Sequence, residues 1–104
     1  MWYAASLFFR GVHTPPKKDP KWEESIRLID AVSEEDARIK ASRIGQTEEH
    51  SYQTQDGHHL SWKFERVERV YAIDQAKILD GTELFSRFLR ESEALSLLTP
   101  FEDD

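Results

Sequence analysis

The sequence predicts an α+β fold: a four-stranded, mainly antiparallel sheet packed on one main helix, in β-β-α-β-β-α order. Three observations carry that prediction. The chain opens on Trp2-Tyr3-Ala4-Ala5-Ser6-Leu7-Phe8-Phe9, an extended run that is apolar on both faces. Leu60, Trp62 and Phe64 alternate with polar neighbours, as a strand does. Between these stretches, Ser33 followed by Glu34, Glu35 and Asp36 marks a helix start.

The first strand runs from Trp2 to about His13. Trp2, Ala4 and Phe8 share one face; Tyr3, Ala5, Leu7 and Phe9 share the other. Such a strand is interior to a sheet, or its second face is covered by another chain. Thr14 to Lys21 holds three prolines and three lysines, and reads as a stiff, exposed hairpin loop. Trp22 to Ala31 is a second strand, antiparallel to the first, with Trp22, Glu24, Ile26 and Leu28 on one face. In the helix that follows, the Ser33 hydroxyl caps the amide of Asp36, and Val32 staples against Ala37. Ala37, Ala41 and Ile44 form the apolar stripe, and Gly45 is the stop.

Glu48 to His59 is polar, with a turn at Asp56-Gly57 and Tyr52 as its large apolar anchor. The strand that opens at Leu60 changes its apolar parity after Glu65, to Val67, Tyr71 and Ile73. Left straight to Ile73 it would be about 46 Å long. A chain of this size has a radius of gyration of about 13 Å. A bulge near Glu65-Arg66 accounts for both the parity change and the bend. Asp74 to Leu79 reads as a short helical turn ended by Gly81. Thr82 to Leu89 reads as a fourth strand, though Leu84, Phe85, Phe88 and Leu89 also fit a helix. Glu91 to Leu98 is a terminal helix stopped by Pro100, and residues 99–104 form a frayed acidic tail. One domain over residues 1–104 suits this length. The order matches a ferredoxin-like sandwich after circular permutation, an analogy that sets the first strand at a sheet edge.

The absence of cysteine excludes disulfides, zinc-thiolate and iron–sulfur sites, and thiol nucleophiles. A net charge of −6 disfavours binding to nucleic-acid backbones and suits docking on a basic protein surface. No apolar run approaches the ~18 residues of a membrane span. No basic segment precedes the opening apolar stretch, so it does not read as a signal peptide, and the expected location is cytoplasmic.

Little in the sequence recommends catalysis. His13, His50, His58 and His59 lack a metal-ligand spacing, and adjacent His58 and His59 face opposite ways on a strand. There is no G-x-S-x-G elbow, G-x-G-x-x-G or Walker motif. No catalytic residue, metal or cofactor is therefore assigned. Glu24 and Glu83 lie in apolar-rich segments and are the best candidates for partly buried acids with raised pKa. Their ordinary alternative is pairing with Arg10, Arg27 or Arg87. With Tyr52 and Trp62 they are the ligand candidates of a small enzyme or binding domain. Trp62-Lys63-Phe64-Glu65-Arg66 interleaves aromatic and basic residues, as single-strand nucleic-acid platforms do. Core packing of Trp62 and Phe64 is the simpler reading.

Several blocks together carry a family resemblance. They are Trp2 to Phe9, Glu24-Ser25-Ile26 with Leu28, Ala31 with Ser33-Glu34-Glu35 and Ala37, Tyr52 with Asp56-Gly57, Trp62-Lys63-Phe64 with Val67, and Asp80 to Ser86. In these the chain resembles small bacterial proteins of the domain of unknown function 4288 family, with Gln53 where Asn is expected after Tyr52. The resemblance implies a compact α+β domain and supplies no activity. The leading functional expectation is a non-enzymatic interaction module whose partner is another protein or, through the first strand, a second copy of the chain. Neutralisation of a basic toxin or nuclease is its narrower form. Trp2, Leu7, Phe8, Phe9 and Trp22 are the candidate contact residues.

Overall fold

Residues 1–74 and 76–99 are described by the structure, a computed structural model. The sheet has four strands: β1 (Trp2–Thr14), β2 (Trp22–Asp30), β3 (His50–Gln53) and β4 (His59–Ala72). Their spatial order is β2-β1-β4-β3, and every pairing is antiparallel. One helix, α1 (Glu34–Thr47), packs on the sheet; a second, α2 (Glu91–Leu98), follows near the end of the described chain.

β1 lies between β2 and β4, so both its edges are hydrogen-bonded. The ferredoxin-like analogy set this strand at an edge; here it is interior, which is why it is apolar on both faces. Tyr3, Ala5, Leu7 and Phe9 face α1 and form the core with Ile29, Ala31, Ala37, Ala41 and Val67. Leu7 and Ala5 have no exposed surface.

α1 begins as its sequence requires. The Ser33 hydroxyl accepts from the Asp36 amide at 3.1 Å. The reciprocal bond goes one residue further out, from the Val32 amide to Asp36 Oδ2 at 3.2 Å. Val32 is 91% exposed, so the expected staple against Ala37 does not form. Nor does Gly45 stop the helix, which continues to Thr47. Gly45 is there for contact: a Cβ on it would lie 2.3 Å from the Phe64 ring.

β4 carries the expected irregularity near Glu65, and a second one. Phe9 pairs with Phe64 and Phe8 with Arg66, so Glu65 is left out of the ladder. Leu7 pairs with Val67 and Ser6 with Arg69, so Glu68 is left out as well. The α1 side of β4 is therefore Leu60, Trp62, Phe64, Val67 and Val70, and Tyr71 moves to the other side with Ala4. The Val67 carbonyl between the two bulges accepts from Arg38 Nη1 of α1 at 2.9 Å. β4 thus bends without stopping, and the molecule extends 47 Å along its longest axis with a radius of gyration of 16.1 Å.

Two expected elements differ. β3 arises within the polar stretch before the Asp56-Gly57 turn and pairs with β4 from His50–Trp62 to Gln53–His59. The turn itself is as expected, with Gly57 at φ +85° and the Thr54 amide donating to the His58 carbonyl at 2.7 Å. Thr82 to Leu89 forms neither strand nor helix. Asp74 to Leu79 likewise forms no helix at its described positions; the chain there closes a turn in which the Thr82 amide donates to the Leu79 carbonyl at 3.0 Å. Pro100 and the acidic Glu102-Asp103-Asp104 end lie outside the described residues.

Candidate functional site: the sheet face opposite the helix

The second face of the sheet is built from Ala4, Ser6 and Phe8 of β1, Trp22, Glu24, Ile26 and Leu28 of β2, and Arg66, Arg69 and Tyr71 of β4. Among the described residues, no helix packs squarely on it. Instead, residues 83–87 cross it as an extended strap held by alternate side chains. The Tyr71 hydroxyl donates to the Glu83 carboxylate. The Phe85 ring sits 6.0 Å from that of Tyr71, and the Arg87 guanidinium lies 5.7 Å over Phe85. Arg87 then clasps two strands, reaching Glu68 of β4 at 3.2 Å and Glu24 of β2 at 3.4 Å. Ser6, wholly buried beneath, donates to the second Glu24 oxygen at 2.5 Å.

Glu24 is thus a structural carboxylate held by a hydroxyl and a guanidinium, as its ion-pairing alternative anticipated. Donation to Glu83 holds the Tyr71 phenol above its ordinary pKa, with burial and the Glu83 charge adding to the effect.

The sequence-derived ligand candidates do not converge. Glu24 and Glu83 are on the strap side. Tyr52 and Trp62 are on the α1 side, where Trp62 Nε1 donates to the Tyr52 hydroxyl at 3.3 Å. The sheet stands between the two pairs. The same alternation separates the Trp62 and Phe64 rings from Lys63 and Arg66, so no aromatic and basic platform forms. Among the described residues, no group of three or more His, Asp or Glu side chains is arranged to hold a metal ion. Nor is any helix among them long and apolar enough to cross a membrane.

Of the candidate contact residues, Leu7 and Phe9 are core and offer no surface. Phe8 and Trp2 are half-buried. Trp22 is half-exposed, and it has neighbours the sequence did not single out: Ile26 and Leu28, in line with it on β2, are 46% and 49% exposed. β2 is also an edge strand of nine residues, against four in β3 at the other edge. The outer side of the strap and α2 expose Leu84, Phe88, Leu95, Leu97 and Leu98. Trp22 was visible as a large apolar residue in a strand. Alternation put Ile26 and Leu28 on the same face as Trp22, but their exposure follows from the strand order, which sets β2 at the margin.

No curated protein and no solved structure matches this chain. The sequence pattern of one family, described as Domain of unknown function (DUF4288), matches residues 2–86 and ends just before Arg87. That match spans the whole sheet, α1 and all but the last residue of the strap, and the chain belongs to this family.

Proposed function

We propose that the chain is a non-enzymatic protein-interaction module that receives its partner along β2. One observation carries the reading: Trp22, Ile26 and Leu28 stand half-exposed in a row on a nine-residue edge strand. An edge supplies unpaired backbone donors and acceptors, and alternate side chains supply specificity. β1 cannot serve in this way, because both its edges are paired. Glu23 is exposed on the same strand, and the whole chain carries −6. A basic partner, such as a toxin or nuclease to be neutralised, suits that surface.

The test is an Ile26→Lys variant compared with wild type for stoichiometric, salt-sensitive capture of a partner from native lysate. The variant keeps its thermal unfolding midpoint and loses the partner. Equal capture by both proteins would sink the reading.

A second reading rests on the register of β2 with itself. About a two-fold axis at Ser25, Trp22 faces Leu28 of the partner subunit and Glu23 faces Arg27 of the partner subunit. Both pairings are complementary, and the symmetry makes each occur twice. Sedimentation equilibrium decides this reading: a dimer broken by Arg27→Glu and restored by adding Glu23→Arg supports it, and a monomer at all concentrations ends it.

A further inference from the structure

At the far end of β1, the loops joining β1 to β2 and β3 to β4 flank an open cleft of about 320 Å³. Its lining includes His13, Lys17, Lys21, Asp56 and His58. Two lysines and two histidines converge on one space in a chain whose net charge is −6. The arrangement is held in place by backbone. The Gly11 amide donates to the Lys21 carbonyl at 2.8 Å, and the Lys21 amide donates to His13 Nε2 at 3.3 Å. A Cβ on Gly11 would lie 2.6 Å from that carbonyl, so the approach requires glycine.

The acid in the lining is already committed. Asp56 Oδ1 accepts from the Thr54 hydroxyl and from the His58 amide, and Oδ2 lies 3.4 Å from His58 Nδ1. Those bonds hold Asp56 below its ordinary pKa and tie its charge to the turn. Loops that place two lysines and two imidazole rings around a small cleft supply the charge and the N–H donors of an anion site.

We propose that this cleft binds a small dianion: phosphate, free or as the monoester of a small molecule. The volume exceeds that of a phosphate group and leaves room for a short ester substituent. The reading is independent of β2 and uses none of Trp22, Ile26 or Leu28.

The electrostatics around His13 agree with it. Burial, then Lys17, Lys21 and His58, hold its imidazole below the ordinary histidine pKa. Asp56 is the remaining charged group in the lining, and His59 pairs with Thr14 on the opposite side of the strand. A bound dianion offsets the cationic field, so the His13 titration midpoint moves up.

The experiment follows His13 and His58 ring resonances by NMR at constant ionic strength. Inorganic phosphate, methyl phosphate and chloride are added in separate titrations. The expected result is saturable movement of both histidines, with a dissociation constant of order 1 mM. A rise in the His13 midpoint accompanies it. Lys17→Ala, a change in an exposed loop residue, weakens binding by about tenfold while leaving the unfolding midpoint unchanged. Tighter binding of methyl phosphate identifies an ester site, and tighter binding of phosphate a free-anion site. Movement that never saturates, matches that of chloride, or is untouched by Lys17→Ala overturns the proposal.

Discussion

The two faces of the sheet are covered in opposite ways. On one, α1 brings Ala37 and Ala41 flat against Tyr3, Ala5, Leu7 and Phe9, and Gly45 takes the Phe64 ring at contact distance. On the other, the strap holds by a phenol–carboxylate bond, one aromatic contact and one arginine clasp. The first cover is apolar and close-packed, so its strength scales with buried area. The second is polar and narrow, and it leaves the outer strand half-exposed. Close-packed core lies on one side of β1, and half-exposed apolar surface on the other.

That contrast can be broken from its stronger side first. Leu7→Ala removes a fully buried side chain from the α1 face and costs about 2–5 kcal/mol, read by urea unfolding. A cost below about 1 kcal/mol would mean that this face is loosely packed. Gly45→Ala places a Cβ against Phe64 and costs about 1–3 kcal/mol, because the ring must shift within the core. A neutral or stabilising outcome, from the better helix propensity of alanine, would show that the ring moves freely.

The strap side yields less. Arg87 is 20% exposed at the side chain, and its partners are 28% and 35% exposed. Arg87→Ala costs about 1 kcal/mol, and less in high salt, where the wild-type clasp is itself screened. Its signature is faster amide exchange in residues 83–87 with no change in α1. Equal acceleration in both would show that the two faces unfold as one unit.

The smallest effect is pH-dependent. The Tyr71 pKa is raised in the folded state, so its contribution is fully present below the ordinary phenol value of about 10 and is lost as pH climbs through the raised value. Tyr71→Phe is therefore the less stable protein at neutral pH and draws level with wild type in alkali. A stability gap unchanged across that range would dissociate the strap from the Tyr71–Glu83 bond.

The same contrast explains what the sequence made legible. The α1 face was plain: its helix start, alanine stripe and the alternating residues of β1 follow from periodicity and capping chemistry. The bulge near Glu65 was legible because one extra residue shifts apolar parity. The second was not, because Phe64, Val67 and Val70 then stand three apart, a spacing that periodicity associates with helices. β3 was hidden because His50 to Gln53 is polar and joins the sheet by backbone pairing. The strap looked like a strand because it alternates. Its apolar residues Leu84, Phe85, Phe88 and Leu89 fitted a strand or a helix, but the side chains that hold it to the sheet are Glu83, Phe85 and Arg87, two of them charged, which apolar patterning does not register. Of the candidate site, Trp22 was readable, but its standing as part of an exposed row required the strand order.

Glu65 and Glu68 give β4 an unusual property: slack. Losing one residue from the middle of a strand ordinarily inverts every side chain beyond the cut. Loss of Glu65 would not, because Phe64 and Arg66 already oppose consecutive residues of β1; the neighbours would close up and keep their sides. The same holds for Arg69 and Val67 around Glu68. β4 can therefore lose a residue in mid-strand, at either of these two glutamates, without turning the rest of the strand inside out.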